Sequence, residues 1–185
     1  MAQTPSNMIA LGTIAPKFEL LDTISNSKMK LDNLKGSKGT VIAFICNHCP
    51  FVVHINEHFV KIANQYQKKG IGFIAISSND IEKYPKDGPE KMHLHAVESK
   101  FSFPYLFDET QEIAKAYDAA CTPDIYLFND DLKLVYRGQF DDSRPGNNIN
   151  PTGNDLKNAI DCLLCQTQNN QTQKPSIGCN IKWKN

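Results

Sequence analysis

Two continuous apolar runs on either side of an amphipathic segment constrain the fold of this chain more than any other feature. The runs are residues 40–46 and 71–77. Each is short and unbroken, as expected for a strand that is covered on both faces. Between them, from Val52 to Tyr66, apolar residues recur at helical spacing, and Gly70 provides a stop. The pattern predicts a β-α-β unit with parallel strands and a right-handed crossover.

The rest of the chain predicts further short strands and helices around this unit. An N-terminal arm reaches about residue 38, and strand-like or helical segments follow one another after residue 88. The predicted strands are 18–20, 29–31, 105–108, 125–128 and 132–136, the last two as a hairpin, and the predicted helices are 89–100, 111–117 and 155–164. We therefore predict one α/β domain over residues 1–165, with a central mixed sheet, helices on both faces and an N-terminal β extension.

The last twenty residues differ in composition from this domain. Residues 166–174 are polar and low in complexity, which predicts a mobile tract. Apolar residues return at Ile177, Ile181 and Trp183, so residues 166–185 are predicted to be a C-terminal tail with a possible docking segment. Cys179 could return to the body as a distant thiol, but we expect the apolar residues only to anchor the tail.

Charge and length exclude several classes of function. The chain has 20 basic and 20 acidic residues and a formal net charge of zero, so nothing indicates a nucleic acid or membrane partner. The start of the chain lacks the pattern of a signal peptide, and no apolar run is long enough to span a bilayer. A soluble, cytoplasmic protein is expected. In that reducing compartment, paired cysteines are more often catalytic or metal-binding than structural.

Such a pair lies at the junction between the first predicted strand and its helix, in Cys46-Asn47-His48-Cys49-Pro50. A helix N-terminus stabilises a thiolate through its unpaired N–H groups and its dipole, so the pKa of a cysteine there should fall. We predict that Cys46, the outer cysteine, attacks a substrate disulfide and that Cys49, one turn further in and better shielded, resolves the mixed disulfide. His48 is expected to stabilise the Cys46 thiolate.

Motifs spread over nearly the whole chain resemble those of a known group of proteins. They are APKFEL at 15–20, FICNHCP at 44–50 and Thr122-Pro123 before the predicted hairpin. With these, the chain resembles the thioredoxin superfamily, in its alkyl hydroperoxide reductase/thiol-specific antioxidant (AhpC/TSA) branch. The motifs DDSRPGN at 141–147 and GCNIKWK at 178–184 add a closer resemblance to a thioredoxin-like, peroxiredoxin-like subgroup.

This resemblance implies a thioredoxin fold and a role for the residues around the second motif. Pro123 is implied to be cis and, with Thr122, to lie beside the cysteine pair and position the substrate. The neighbouring backbone would then be free to pair with an extended substrate segment. Cys121 would lie at the same end of the sheet, either as a third redox cysteine or as a packing residue.

A thiol peroxidase is the first alternative that the resemblance leaves open. Typical peroxiredoxins have Thr-x-x-Cys-Pro at this junction, so Cys49 could be the peroxidatic cysteine, with Cys46 at the threonine position. The arginine that such enzymes place before the later strand is replaced here by Cys121-Thr122-Pro123, and Arg137 lies beyond that strand. We therefore rank dithiol–disulfide exchange above hydroperoxide reduction.

A copper or zinc carrier is the second alternative. Four residues offer soft and borderline ligands: Cys46, His48, Cys49 and Cys121. A second ligand pair is not evident, because Cys162 and Cys165 lie in an apolar helical pattern where core packing explains them better.

The function predicted from the sequence is that of a thiol–disulfide oxidoreductase in redox homeostasis. Its substrate would be a protein or small-molecule disulfide, its electron donor a thiol, and the alternative substrate a hydroperoxide. Neither a metal nor an organic cofactor is predicted, since the cysteines can carry the electrons.

Overall fold

The structure is a computed structural model that describes residues 3–184. Its strands, in chain order, are β1 (Gln3–Pro5), β2 (Glu19–Asp22), β3 (Ser27–Lys30), β4 (Gly39–Phe44), β5 (Ile71–Ser77), β6 (Tyr105–Phe107), β7 (Cys121–Thr122), β8 (Asp124–Asn129), β9 (Leu134–Gly138) and β10 (Ile177–Asn180). Its α-helices are α1 (Leu31–Leu34), α2 (Pro50–Gln67), α3 (Pro89–Glu98), α4 (Glu112–Ala116) and α5 (Asn154–Leu164). A 3₁₀ turn, Pro85–Asp87, precedes α3.

Seven strands form the central sheet in the order β3-β2-β6-β5-β4-β8-β9. The pairs β4/β5 and β5/β6 are parallel, whereas β4/β8, β8/β9, β2/β6 and β2/β3 are antiparallel. The predicted mixed sheet and β-α-β unit are therefore present. A second sheet of three strands, β1-β10-β7, was not predicted, and it joins both ends of the chain to the strand before Pro123.

The alternation of side chains along β4 divides the core into two layers. Val41 and Ala43 pack with the apolar faces of α2, α3 and α5, while Ile42 and Phe44 pack with α1 and α4 on the other side. All six residues of β4 are buried, which explains its continuous apolar sequence. Helices thus cover both faces of the sheet, as predicted. Among the helices of residues 3–184, none is long and apolar enough to cross a lipid bilayer.

All these predicted boundaries lie within two residues of the observed ones, and two of the differences have clear reasons. The predicted strand 40–46 ends at Phe44, because the chain turns away from the sheet to begin α2 at Pro50. The second strand of the hairpin begins at Leu134 instead of residue 132, because Leu132 adopts a left-handed conformation with φ of 60° and extends the turn.

A buried ion pair anchors β9 to the start of β8. The Arg137 side chain is fully buried, and its Nη2 lies 3.0 Å from Asp124 Oδ2. The same guanidinium donates to the carbonyl oxygens of Tyr117 and Asp118 and stacks on the ring of Tyr126 at 4.2 Å. These contacts hold the chain on either side of β7, so they position the strand that faces the cysteine pair.

Loss of this arginine should destabilise the protein strongly. We expect Arg137→Met to lower the free energy of unfolding by about 3–5 kcal/mol, because the buried Asp124 carboxylate would lose its charge partner. Lys133→Met is the matched control, since Lys133 forms an exposed pair with Asp131 at 4.0 Å and should change stability by about 0.5 kcal/mol or less. Urea unfolding of both variants measures the difference, and equal stabilities would contradict this role of Arg137.

Candidate active site

Cys46 and Cys49 lie where β4 gives way to α2, and both are buried. Their relative exposures are 1% and 0%, so the expected difference in shielding is absent. Cys49 is the N-cap residue of α2 and Pro50 is its first residue, whereas Cys46 lies in the turn before the helix. Thr122 contacts both sulfurs, and the two thiols interact closely enough for each to shift the pKa of the other. The structure therefore brings the predicted pair together and gives Cys49, not Cys46, the position at the helix N-terminus.

The pKa values of the two thiols are shifted in opposite directions. The pKa of Cys49 falls to about 5, first because of the hydrogen bond with Cys46 and then because of donation from Thr122, Cys179 and the backbone N–H of Val52. Burial and the carbonyl oxygen of Thr122, 3.0 Å from the sulfur, oppose this shift, but the donors outweigh them. Cys49 is therefore the thiolate of the pair.

The pKa of Cys46 is raised, which corrects the expectation that this cysteine would carry the lowered value. The largest cause is its hydrogen bond with Cys49, followed by burial and by the negative charge of Asp87. A hydrogen bond with the Thr122 hydroxyl, at 3.6 Å, acts weakly in the other direction. Cys46 consequently keeps its proton while Cys49 is ionised.

Thr122 and Pro123 lie directly against the pair. The Thr122–Pro123 peptide bond is cis, in agreement with the resemblance noted in the sequence. The hydroxyl of Thr122 contacts Cys46 and its carbonyl oxygen contacts Cys49. Strand pairing explains this placement. Phe44 of β4 is the partner of Asp124 of β8, and the segments that adjoin this pair continue alongside each other.

His48 faces a carboxylate that the sequence did not single out. Its Nδ1 lies 2.8 Å from Oδ2 of Asp87, without the alignment of a hydrogen bond, and its ring stacks on Tyr84. Asp87 is fully buried and accepts hydrogen bonds from the backbone N–H of Asn47 and from the side chain of Asn79. His48 thus contacts Asp87, and its expected influence on Cys46 stays a prediction.

A metal could be held at this point by a different set of residues from the one expected. Among residues 3–184, the ligand atoms of Cys46, His48 and Asp87 lie within 4.8 Å of one another. A thiolate, an imidazole and a carboxylate suit zinc. Cys49 and Cys121 do not belong to this group, so the four ligands proposed from the sequence are not assembled as one site.

Cys121 lies beside the pair but is directed differently. It is fully buried on β7, next to Thr122, and its sulfur contacts the carbonyl oxygen of Pro123 at 3.5 Å. Burial and the Asp124 carboxylate raise the pKa of its thiol. A protonated thiol in these surroundings favours the packing role over that of a third redox cysteine.

Cys179 lies near Cys49, whereas the sequence led us to expect only an anchoring role for this part of the tail. β10 pairs antiparallel with β7, with Cys179 opposite Thr122, and the Cys179 thiol contributes to the lowered pKa of Cys49. Ile181 is buried as expected for an anchor, but Trp183 remains 39% exposed. The segment around Cys179 is thus part of the wall of the site.

Cys162 and Cys165 do not fill the core, contrary to the explanation from sequence. Cys162 is half-buried and Cys165 is exposed immediately after α5. The apolar stripe of α5 is carried instead by Leu156, Ala159 and Ile160. These two cysteines belong to a surface away from the candidate active site and provide control positions for thiol chemistry.

The fold and the cluster of cysteines are those of a thioredoxin-fold protein that reacts through thiols. Comparison with known families identifies its family. The model of the AhpC/TSA family matches residues 11–137, which is more than half of the chain. The protein therefore belongs to the AhpC/TSA family, within the thioredoxin superfamily. Membership supports oxidoreductase activity of the disulfide reductase or peroxidase kind, with thiols or disulfides as reaction partners. No curated protein matches the sequence.

Solved structures agree with this assignment. The chain is 55% identical to an uncharacterized conserved protein from Geobacillus kaustophilus, with a TM-score of 0.97 over 100% of this chain and 97% of that one. It is 46% identical to a hypothetical protein from Sinorhizobium meliloti, with a TM-score of 0.95 over 98% of each chain. The thioredoxin domain of a thiol-disulfide oxidoreductase from Bacteroides vulgatus shares the fold, at 19% identity and a TM-score of 0.60 over 83% of this chain and 99% of that domain.

Sequence reasoning missed Asp87 and undervalued Cys179. Asp87 belongs to a turn-rich segment about forty residues after the cysteine pair, and only the Gly88-Pro89 helix start marks its position. The residues next to an aspartate before a helix start do not show whether its carboxylate is buried. Cys179 had a signal in the motif GCNIKWK, but only strand pairing reveals what it contacts.

Titration should identify Cys49 as the thiolate. We expect the ultraviolet thiolate absorbance of the reduced protein to appear above about pH 5 and to be lost as the pH falls through that value. An ordinary cysteine titrates near pH 8.5, about three units higher. Cys49→Ser should remove this step, Cys46→Ala should move it to higher pH because the largest donor is lost, and Cys165→Ser should leave it unchanged. A first step near pH 8.5 in the wild type would refute the assignment.

Proposed function

We propose that this protein is a thiol–disulfide oxidoreductase whose redox pair is Cys46 and Cys49, with Cys49 as the first nucleophile. One observation carries the proposal: two buried free thiols at the start of α2 both contact Thr122, and their surroundings lower the pKa of Cys49 while they raise that of Cys46. Thiolates, not thiols, attack disulfides. This revises the order of attack expected from the sequence, in which Cys46 came first.

In the reducing direction, the Cys49 thiolate attacks one sulfur of a substrate disulfide and the other substrate sulfur leaves as a thiolate. Cys46 then loses its proton and attacks Cys49, which forms the Cys46–Cys49 disulfide and releases the second substrate thiolate. Two electrons pass from the pair to the substrate. An external thiol donor returns them by the reverse exchange.

Asp87 and His48 support the second step as a proton-accepting pair. A carboxylate oxygen of Asp87 lies within 4.8 Å of the Cys46 sulfur, a distance that a single water can bridge. The negative charge of Asp87 helps to keep Cys46 protonated at rest and also attracts its proton when the attack begins. His48, whose side chain is 20% exposed, offers a route from this buried carboxylate towards solvent.

The pairing of β10 with β7 bears on the class of substrate. An extended protein segment would need the edge of β7 that β10 occupies, and β1 closes the other edge of β10. We therefore propose a low-molecular-weight disulfide, rather than an extended protein segment, as the substrate. The reaction would serve redox homeostasis in the cytoplasm.

Hydroperoxide reduction by Cys49 is the second candidate, favoured by its lowered pKa and its place before Pro50. The positions of the two arginines argue against it. Arg137 is committed to Asp124, and Arg144 to the backbone oxygens of Asp141 and Ser143 and to Gln139. Neither guanidinium is available, in these contacts, to polarise an O–O bond near Cys49.

Substitution of each cysteine should separate these functions. With a small disulfide as substrate and dithiothreitol as donor, we expect Cys49→Ser to reduce turnover to the uncatalysed level, because the nucleophile is lost. Cys46→Ser/Cys179→Ser, which leaves neither of these thiols to attack Cys49, should accumulate a mixed disulfide on Cys49 that mass spectrometry detects, and Cys165→Ser should behave as wild type. Fast peroxide consumption that needs Cys49 but not Cys46 would favour the peroxidase, and faster reduction of insulin than of the small disulfide would contradict the proposed substrate class.

Asp87→Asn should slow the resolving step specifically. We expect release of the mixed disulfide on Cys49 to slow by about 10²-fold at neutral pH, the usual contribution of a positioned base. Raising the pH should restore the rate, since hydroxide can then remove the Cys46 proton, whereas a purely structural defect would not be rescued. Asp142→Asn, at an exposed carboxylate paired with Lys174, is the control. An unchanged rate of release would exclude Asp87 from proton transfer.

A further inference from the structure

β10 occupies a position on β7 that brings a third thiol to the redox pair. Cys179 lies opposite Thr122 and Asn180 lies opposite Cys121 in the antiparallel register. On its other edge β10 pairs with β1, where Gln3 is the partner of Cys179. Cys179 is 2% exposed and belongs to the same apolar cluster as Cys46 and Cys49.

The strand is fixed at both of its ends. On the N-terminal side, the backbone N–H of Ser176 donates to the hydroxyl of Ser6 at 3.0 Å, and the Ser176 hydroxyl donates to the carbonyl of Gly138 at 3.0 Å. On the C-terminal side, Ile181 is buried and the N–H of Lys182 donates to Asn79 at 2.9 Å. β10 is therefore an anchored wall of the site.

Gly178 allows this wall to approach closely. A Cβ atom at this position would lie 1.9 Å from the carbonyl oxygen of Thr122, so a side chain there would push the strand away from β7. The absence of that side chain lets the next residue, Cys179, lie opposite Thr122, whose carbonyl oxygen is 3.0 Å from the sulfur of Cys49. The close approach thus places the Cys179 thiol near that of Cys49.

We propose that Cys179 is a third redox cysteine, which forms an intramolecular disulfide with Cys49. This inference rests on the proposed function of the Cys46–Cys49 pair, and it adds a second intramolecular partner for the same sulfur. Cys179 takes the place, beside Thr122, where a substrate thiol on an extended segment would otherwise lie.

The exchange is balanced within the protein. In the oxidised enzyme the Cys179 thiolate attacks Cys49, the Cys49–Cys179 bond forms, and the Cys46–Cys49 bond breaks. Cys46 leaves as a thiolate and takes up the proton that Cys179 has lost, so no electrons enter or leave. The same attack on a mixed disulfide at Cys49 would instead release the substrate thiolate.

The state of Cys49 controls the reactivity of Cys179. In the reduced protein the pKa of Cys179 is raised to about 12, first by burial and then by the hydrogen bond with Cys49 and its negative charge. Once Cys49 is in a disulfide, it no longer carries a negative charge. Of the three causes that raise the pKa of Cys179, only burial then remains. Cys179 therefore becomes easier to ionise when its target is oxidised.

Disulfide mapping tests the inference in the variant Cys46→Ser/Cys162→Ser/Cys165→Ser, which retains three cysteines. Cleavage with trypsin leaves Cys49 in peptide 39–61, Cys121 in peptide 116–133 and Cys179 in peptide 158–182. The last peptide is this long because trypsin does not cleave the Lys174–Pro175 bond. After treatment with excess cystamine, we expect a covalent link between peptides 39–61 and 158–182. The same variant with Cys179→Ser should instead retain cysteamine on Cys49.

The outcomes separate this inference from the proposed function. Stable cysteamine on Cys49 with an alkylatable Cys179, or a link to peptide 116–133, would overturn the role of Cys179 and leave Cys49 as a nucleophile. A Cys49 that never reacts with cystamine would instead count against the proposed function. Fragment sequencing of the oxidised wild-type protein provides a second measurement, in which a Cys49–Cys179 fraction supports the inference and only Cys46–Cys49 contradicts it.

Discussion

The register between β4 and β8 is the constraint on which the candidate site depends. Phe44 is paired with Asp124 at the end of the ladder, so Cys46 lies two residues beyond one strand and Thr122 two residues before the other. Antiparallel neighbours keep the same offset on both strands, and Cys46 is consequently brought opposite Thr122. A slip of one residue would direct these side chains to opposite faces and separate them. The buried ion pair between Arg137 and Asp124 holds this register where the ladder ends.

Within this arrangement of strands, the important variable is which of the two cysteines, Cys46 or Cys49, holds the proton. Three thiols and the Asp87 carboxylate share a buried region, and unpaired like charges repel strongly where water is excluded. The interaction with Cys49, burial and the charge of Asp87 together raise the pKa of Cys46, while the donors around Cys49 favour a thiolate there. The negative charges are thereby kept on separate groups. The same arrangement explains why Cys46, which is nearer to the carboxylate, suits the later step that needs a base.

Local patterns were sufficient to predict the centre of the fold and the position of the two cysteines between β4 and α2. The apolar run before Cys46 and the helical spacing after Pro50 are properties of neighbouring residues, and they led to the observed β4, α2 and β5. The ionisation order of the pair was predicted wrongly for a physical reason. It depends on Asp87 and on the contacts of Cys179, which are separated from the pair by about forty and one hundred and thirty residues and whose positions follow from tertiary packing. Cys162 shows the opposite error, since helical spacing alone does not distinguish a half-buried flank from a core face.

The C-terminal segment shows how strand pairing can convert a tail into part of a site. Its composition predicted a mobile tract followed by a docking segment. That prediction did not say which part of the protein the docking segment would contact. Because β10 lies between β1 and β7, both edges of its backbone are paired, and its central cysteine is directed at a thiol nucleophile. An apolar residue at position 179 would have served equally well as an anchor beside Ile181. A thiol there instead supplies the partner for the disulfide exchange that we propose.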